Sequence, residues 1–431
     1  MTKRSAEIVA ANEDLLTEIL LRLPTKSLLR FKCVSIQWLH LISSPYFARN
    51  HSLQNPNPST SGLFLYQYPS LLYLTLAVEP NVTSRPSFGP VPILDFLRIT
   101  PFASNLTILS SCNGLLLCLL VSPPSWNDAD VIYFVSNPTT KKSSPLPPLQ
   151  MLAERPIITM DLAFDPRESP HYKVICFRQY NPPDGLEFEI QIFSSETGSW
   201  KICQGPFVNI RAGILFRGRG VYWNKRIHYL DSTGGGSFYF KVEEESLGFL
   251  RMPFIQSEVQ AMERSWYLGQ SGGHLHLVDI ETNITRDSSI DIYELQNDYS
   301  GWFLRYRVNL GSIGSEFPEM VRYIGVHEFL DVEGNQRSGI GRYYIYSVLN
   351  VVREGDDLFE IVLSIPNKIV CYNPGNRTSK VLVYFGDDRD RVRYEWHNVF
   401  LYTQTFCPFE FMGLSVLFGG LKFQCNENCI N

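Results

Sequence analysis

Charge is scarce in this chain. Only 19% of its 431 residues are Asp, Glu, Lys or Arg, and the balance is mildly acidic, with a net charge of −5 and a pI near 6.0. Binding along a phosphate backbone needs a clustered basic surface, so nucleic acid is excluded as a partner. Long apolar runs are missing as well. The longest, Leu115 to Val121, falls far short of the roughly 18 residues of a membrane span, which excludes a membrane partner. The opening residues, Met1-Thr-Lys-Arg-Ser-Ala-Glu-Ile8, lack the apolar stretch of a secretory leader and point to the cytoplasm and/or nucleus. The nine cysteines are scattered and form no C-x-x-C pair. In a reducing compartment they read as buried thiols, and the four glycosylation sequons at Asn81, Asn105, Asn283 and Asn376 carry no weight there. There is no P-loop, no dinucleotide fingerprint and no zinc-ligand spacing, so neither a cofactor nor a metal is expected.

The most informative absence is local. Residues 1–52 contain no glycine and two prolines, whereas the chain as a whole has 29 Gly and 27 Pro. These first residues also carry 7 Lys/Arg against 4 Asp/Glu, opposite in sign to the rest. Between the two parts runs Gln54-Asn-Pro-Asn-Pro-Ser-Thr-Ser-Gly62, a linker by composition. The expected organisation is a helical unit at 8–53, a linker at 54–61, a β domain at 62–418 and a tail at 419–431. In the helical unit, Asn12 is a plausible N-cap, followed by Glu13 and Asp14 where the helix dipole favours carboxylates. Leu15, Leu16, Ile19, Leu20 and Leu23 then recur at helical spacing, and Pro24 stops the helix. Thr25 is expected to cap a second helix carrying Leu28, Leu29 and Val34. A third holds Trp38, Leu41 and Ile42, and Pro45 opens a last turn. So small a unit with so many apolar positions needs a partner, or the next domain, to cover it.

These residues resemble a known family. Asn12-Glu-Asp-Leu-Leu-Thr-Glu-Ile-Leu-Leu-Arg-Leu-Pro24, with Ser27-Leu-Leu29, Cys33-Val-Ser35 and Trp38, is similar to the plant F-box, and the match continues through Pro45-Tyr-Phe47 and His51. The resemblance implies a three-helix motif that docks on a Skp1-type adaptor and through it on a cullin. It implies adaptor contacts from Leu15, Leu16, Ile19, Leu20, Leu23, Pro24, Leu28, Leu29, Val34 and Trp38. Ala11-Asn12 stand where the family carries Leu-Pro, and this departure implies weaker docking.

The remainder is mainly β in composition: aromatics reach 13%, and short alternating runs end in turn residues. Val131–Val135, Glu189–Phe193, Phe238–Val242, His274–Val278 and Lys368–Tyr372 all follow this pattern. Taking the turn markers Asn137, Glu196, Glu243, Glu281 and Asn373, the steps are 59, 47, 38 and 92 residues. Steps near 45 suit four-stranded propeller blades, and the last step suggests a unit hidden near 320–330. A six- or seven-bladed propeller is expected, with a pair of β-sandwiches as the alternative. Ser111-Cys-Asn-Gly-Leu-Leu116, Asn137-Pro-Thr-Thr-Lys141, Leu162-Ala-Phe-Asp-Pro166, Phe193-Ser-Ser-Glu-Thr-Gly-Ser-Trp200 and Arg219-Gly-Val-Tyr-Trp223 are similar to the F-box-associated, kelch-like propeller domain of plant F-box proteins.

Catalytic chemistry is hard to find. Gly269-Gln-Ser-Gly-Gly273 matches G-x-S-x-G, but an alternating strand follows it where a nucleophile elbow needs a helix, so it reads as a hairpin turn. His274 and His276 share a strand face without a third metal ligand, and read as surface or half-buried residues. Glu243–Glu245 and Asp387–Asp390 read as solvated loops. Trp223, Trp266, Trp302 and Trp396 are either packing between blades or a recognition face. The resemblance therefore implies a non-catalytic substrate receptor of a Skp1–cullin–F-box ubiquitin ligase, holding an unidentified protein target. Two alternatives are an F-box protein acting outside a ligase and a propeller lectin or enzyme with an incidental helical cap.

Overall fold

The computed structural model describes residues 12–56, 60–67, 70–76, 94, 106–121, 131–149, 156–180, 187–203, 216–231, 237–253, 264–281, 289–330, 336–355, 358–385 and 398–406. Four helices come first: α1 Glu13–Leu21, α2 Thr25–Phe31, α3 Ile36–Ser43 and α4 Pro45–Gln54. Asn12 caps α1, its Oδ1 accepting from the Leu15 N–H at 3.0 Å. Thr25 is the first helical residue of α2 and not its cap. Pro24 holds the cap position, with no side-chain bond. Ser35 and Ser44 cap the next two helices through Trp38 N–H and Phe47 N–H, each at 3.1 Å. After Pro45 comes a ten-residue helix where a last turn was expected. Ser44 as cap with proline at the first helical position is a strong start signal, and the helix is held by burying Phe47, Ala48 and His51. The helical unit thus has four helices.

Two strands follow, β1 Gly62–Gln67 and β2 Ser70–Thr75. The first complete blade is β3 Leu106–Cys112, β4 Leu115–Val121, β5 Val131–Asn137 and β6 Lys142–Pro145. The second is β7 Ile157–Ala163, β8 Lys173–Tyr180, β9 Glu187–Ser194 and β10 Ser199–Ile202. The third is β11 Phe216–Trp223, β12 Arg226–Asp231, β13 Ser237–Lys241 and β14 Ser246–Leu250. The fourth is β15 Arg264–Ser271, β16 His274–Glu281, β17 Ser289–Leu295 and β18 Trp302–Asn309. Next come α5 Leu310–Glu316 and a hairpin of β19 Val321–Leu330 and β20 Gln336–Tyr344. The fifth blade is β21 Ser347–Glu354, β22 Leu358–Ile365, β23 Lys368–Asn373 and β24 Thr378–Tyr384. The last strand, β25 Asn398–Tyr402, pairs with β1, and β1 with β2, to make the sixth.

The inner strands β3, β7, β11, β15, β21 and β25 touch in that order, and β25 returns to β3. Six radial sheets therefore close a ring, which decides against a sandwich pair and a seventh blade. The unit suspected near 320–330 is the β19–β20 hairpin, an insertion that leaves β15 in direct contact with β21. The uneven spacing has a second cause. Asn137, Glu196, Glu243 and Asn373 lie at the ends of third strands, but Glu281 ends a second strand, β16. Both ends of the propeller sequence meet in one sheet, with Gly62 opposite Tyr402 and Tyr66 opposite Asn398.

Three of the turns joining first to second strands have only two residues: Asn113-Gly114, Asn224-Lys225 and Gly272-Gly273. All six residues have positive φ, the backbone that matches the twist of a tight hairpin. Between blades the cores are aliphatic and aromatic, as in the cluster of Phe177, Ile190, Ile227, Tyr229, Phe238 and Phe240. One polar tie crosses the inner strands. The wholly buried Asp161 accepts from Thr159 Oγ1 (2.8 Å), Tyr229 OH (3.0 Å) and Gly220 N–H (3.0 Å). Nearby, Arg219 donates to the carbonyls of Ile108 (2.8 Å) and Leu109 (2.5 Å), over the Phe400 ring. Burial pulls the Arg219 guanidinium down to about 9. A Cβ on Gly220 would lie 2.3 Å from Ile227 Cγ2 and 2.9 Å from Asp161 Cγ. Gly220→Ala should therefore destabilise the propeller by about 1–3 kcal/mol, read as a lower denaturation midpoint. An unchanged midpoint would mean the tie yields without cost.

Candidate functional site

The helical unit has an inside and an outside, and the leucines of α1 divide between them. Leu16 and Leu20 are 2% and 1% exposed, and they pack with Leu21, Leu28, Ile42, Phe47 and Ala48. Leu15 and Ile19, 48% and 47% exposed, line the opposite side of the same helix. Val34 and Pro24 are exposed, and Leu23, Leu29 and Trp38 are half-buried, with Trp38 edge-on to Phe31 at 5.5 Å. Of the ten residues named from the sequence, Leu16, Leu20 and Leu28 are interior. The other seven reach the surface wholly or in part. Ile36, Leu39 and Tyr46, which are not among those ten, are also exposed. The signal was there: α3 carries Ile36, Trp38, Leu39, Leu41 and Ile42, more apolar residues than one buried stripe holds.

A further residue completes the interior, and it comes from the other end of the chain. Phe406, four residues beyond β25, is 4% exposed inside the helical cluster. Its ring meets His51 edge-on at 5.6 Å, and Lys32 Nζ lies 5.6 Å from its centroid. Burial, with Lys142 nearby, pulls the Lys32 amine down to about 8. His51 stacks on Phe47, and its Nε2–H donates to the Leu23 carbonyl at 2.9 Å. Arg49 Nε donates to the Arg167 carbonyl of the propeller at 3.1 Å. The helices therefore sit on one end of the ring.

Most turns at that end are short, 164–172 being the longest. The connections there include 113–114, 138–141, 195–198, 224–225, 242–245, 272–273 and 374–377. The opposite end receives 122–130, 146–156, 203–215, 232–236, 251–263, 282–288 and 385–397, together with the two-residue turn 366–367. Long connections carry recognition in most scaffolds, and here they gather away from the helices. Most of their residues lie outside those described, as do Ala11, Trp396, Asp387–Asp390 and the tail at 419–431.

The remaining candidates resolve into packing. Ser271 ends β15 with its hydroxyl accepting from the Arg353 N–H at 2.9 Å, and Gly272-Gly273 is a hairpin turn. His274 Nδ1 lies 2.8 Å from the Glu294 carboxylate, which also takes Arg353 Nη1 at 2.5 Å. Burial pushes the Glu294 carboxyl up, but these two partners override it and hold it at about 2. His276, expected at the surface or half-buried, is wholly buried, and burial pulls it down to about 4. These residues tie the fourth blade to the fifth. Glu243 and Glu245 pair with Lys173 and Lys201 of the neighbouring blade, so that cluster is a set of clamps as well as a turn. Trp223 and Trp266 are buried, bonded to the Gly273 carbonyl and to Asp279. Among the described residues no three metal-ligating side chains converge, and no helix is long and apolar enough to cross a membrane.

Comparison with known proteins bears on both domains. A family model of the F-box domain matches residues 12–50, and one of the F-box associated beta propeller domain matches 97–304. The F-box protein At5g07610 of Arabidopsis thaliana is 32% identical over 391 residues, spanning 88% of this chain and 87% of that one. This chain belongs to the F-box protein family. The putative F-box protein At4g38870 of the same plant is 32% identical over 214 residues, 47% of each chain. Among solved structures, SapL1 lectin in complex with alpha methyl fucoside covers 77% of this chain and 97% of its own, at 12% identity and a TM-score of 0.35, too distant to speak of a ligand. An F-box implies binding of Skp1 in ligase complexes, and the two domains together support substrate recognition in general.

Burial holds His51 of the F-box below its ordinary pKa, against the bond to Leu23. An undocked His51 protonates near pH 6.5, and the docked one resists. Its contribution is full above that pH and is lost as pH falls below it. Between pH 7 and 5 the wild-type melting temperature should drop more steeply than that of His51→Gln, which keeps a donor for Leu23. Parallel curves would show that His51 carries no such linkage.

Proposed function

We propose that this F-box protein is the substrate-recognition subunit of a Skp1–cullin–F-box ubiquitin ligase, working in the cytoplasm or nucleus. The observation that carries this reading is the split of α1, which buries Leu16 and Leu20 and presents Leu15 and Ile19. A free apolar strip on a unit already packed against its own propeller is a docking surface for a further chain. Leu15, Ile19, Leu23, Pro24, Leu29, Val34 and Trp38 meet the adaptor, while Leu16, Leu20 and Leu28 hold the helices in the shape it recognises. Asn12 stands where the family has proline and caps α1 instead. The adaptor links the F-box to a cullin, and the protein target sits on the long connections at the far end of the ring. The chain's part in the reaction is proximity, bringing target lysines to a charged conjugating enzyme, and it needs no catalytic group of its own.

Full burial of one leucine contributes about 1.5–3 kcal/mol, so Leu15→Asp with Ile19→Asp should abolish capture of a Skp1-type adaptor. The melting temperature should hold, because both side chains are half-exposed. Leu20→Asp should also abolish capture, but through loss of helical circular dichroism. In cells, the Leu15→Asp/Ile19→Asp protein should still hold the target and slow its turnover. Normal adaptor capture by that double variant would place the docking surface elsewhere.

A further inference from the structure

Between the F-box and the turns it covers lies a cavity of about 940 Å³, at the upper end of the size range of small-molecule sites. Its walls come from both domains: Thr25, Ser52 and Asn55 on the helical side, Gln270, Asn297 and Gln404 on the propeller side. Three guanidinium groups line it, and each is matched. Arg22 pairs with Glu18 at 3.0 Å, Arg167 with Asp165 at 2.6 Å and Arg353 with Glu294 at 2.5 Å. His51, also in the wall, is held below its ordinary pKa by burial. An anion entering here would meet no unmatched cation.

The uncommitted groups are of a different kind. Among the described residues, the side-chain amides of Gln270, Gln404 and Asn297 and the hydroxyl of Thr403 make no hydrogen bond. Gln270 and Gln404 are half-buried. An amide offers a donor and an acceptor side by side, which matches a hydroxyl group, itself both. Half-buried Tyr222 adds an aromatic surface to the same wall, suited to the apolar face of a ring.

We propose that this cavity binds a neutral polyhydroxylated small molecule, a sugar or cyclitol, which clamps the F-box to the propeller. A ligand touching both walls binds only the closed seam, so it stabilises the docked arrangement by mass action. The site lies at the opposite end of the ring from the proposed target face and acts on the geometry between adaptor and target.

Isothermal titration of the full chain with D-glucose and with myo-inositol tests this, with inorganic phosphate as the anionic comparison. Saturable binding of at least one polyol is expected, weakened about ten-fold or more in Gln270→Leu/Gln404→Leu, with no saturable heat from phosphate. Gln270→Glu, of equal size but charged, should weaken the same polyol. Adaptor capture by these variants should stay normal, which separates failure here from failure of the ligase reading. Absence of saturable binding by both polyols, equal affinity in the variants, or a preference for phosphate would overturn the proposal.

Discussion

The arrangement of this protein turns on one side chain, Phe406, seated in the core of a domain that begins nearly four hundred residues earlier. A helical unit of about forty residues buries too little apolar surface to be secure by itself. Here the propeller supplies the missing piece of its core. Phe406 lies four residues beyond β25, and β25 closes the ring by pairing with β1, which follows the helices across a short linker. Ring closure and completion of the F-box core are therefore neighbouring events on the same strand. Either end of the chain coming loose would weaken both domains, which makes the F-box here part of one body with its propeller.

That junction also sets a polarity. In a sheet of alternating strand directions, first-to-second and third-to-fourth turns fall at one end, and the other connections fall opposite. The F-box occupies the end where most of those turns are short, three of them two-residue turns with left-handed backbone. Short turns give a stiff support against which a small domain can rest. The strands run into the longer connections at the far end. An adaptor on α1 and a target on those connections would then be separated by the thickness of the ring, a fixed distance set by strand length.

Local rules made much of this legible. Asn12 as a cap, Pro24 as a stop and the hairpin turn at Gly272-Gly273 follow from backbone chemistry that needs only neighbouring residues. The alternating runs marked the strands for the same reason. What stayed hidden depends on partners far along the chain. Leu15, Leu16, Ile19 and Leu20 are equivalent by spacing, and only the packing of α4 and Phe406 decides which pair faces inward. Glu281 and Glu243 both end strands at acidic turns, yet they occupy different strand positions in their blades, and no local signal distinguishes them. The β19–β20 hairpin has the same alternation as a blade strand pair but lacks a place in the ring. His276 looked accessible because a lone histidine on a strand carries no sign of the blade that will cover it.

The most direct test of the account is Phe406→Ala, a change at a residue that is not itself proposed to meet the adaptor. Removing a buried phenylalanine costs about 3–5 kcal/mol, more than a small helical unit can lose and remain ordered. The quantity to measure is adaptor affinity, together with hydrogen exchange in α1 and α4. The account predicts a loss of affinity of more than about ten-fold, near-unprotected helical amides and a propeller whose third strands remain protected. Wild-type affinity with protected helices would contradict it, and would make the F-box a self-sufficient module that merely rests against the ring.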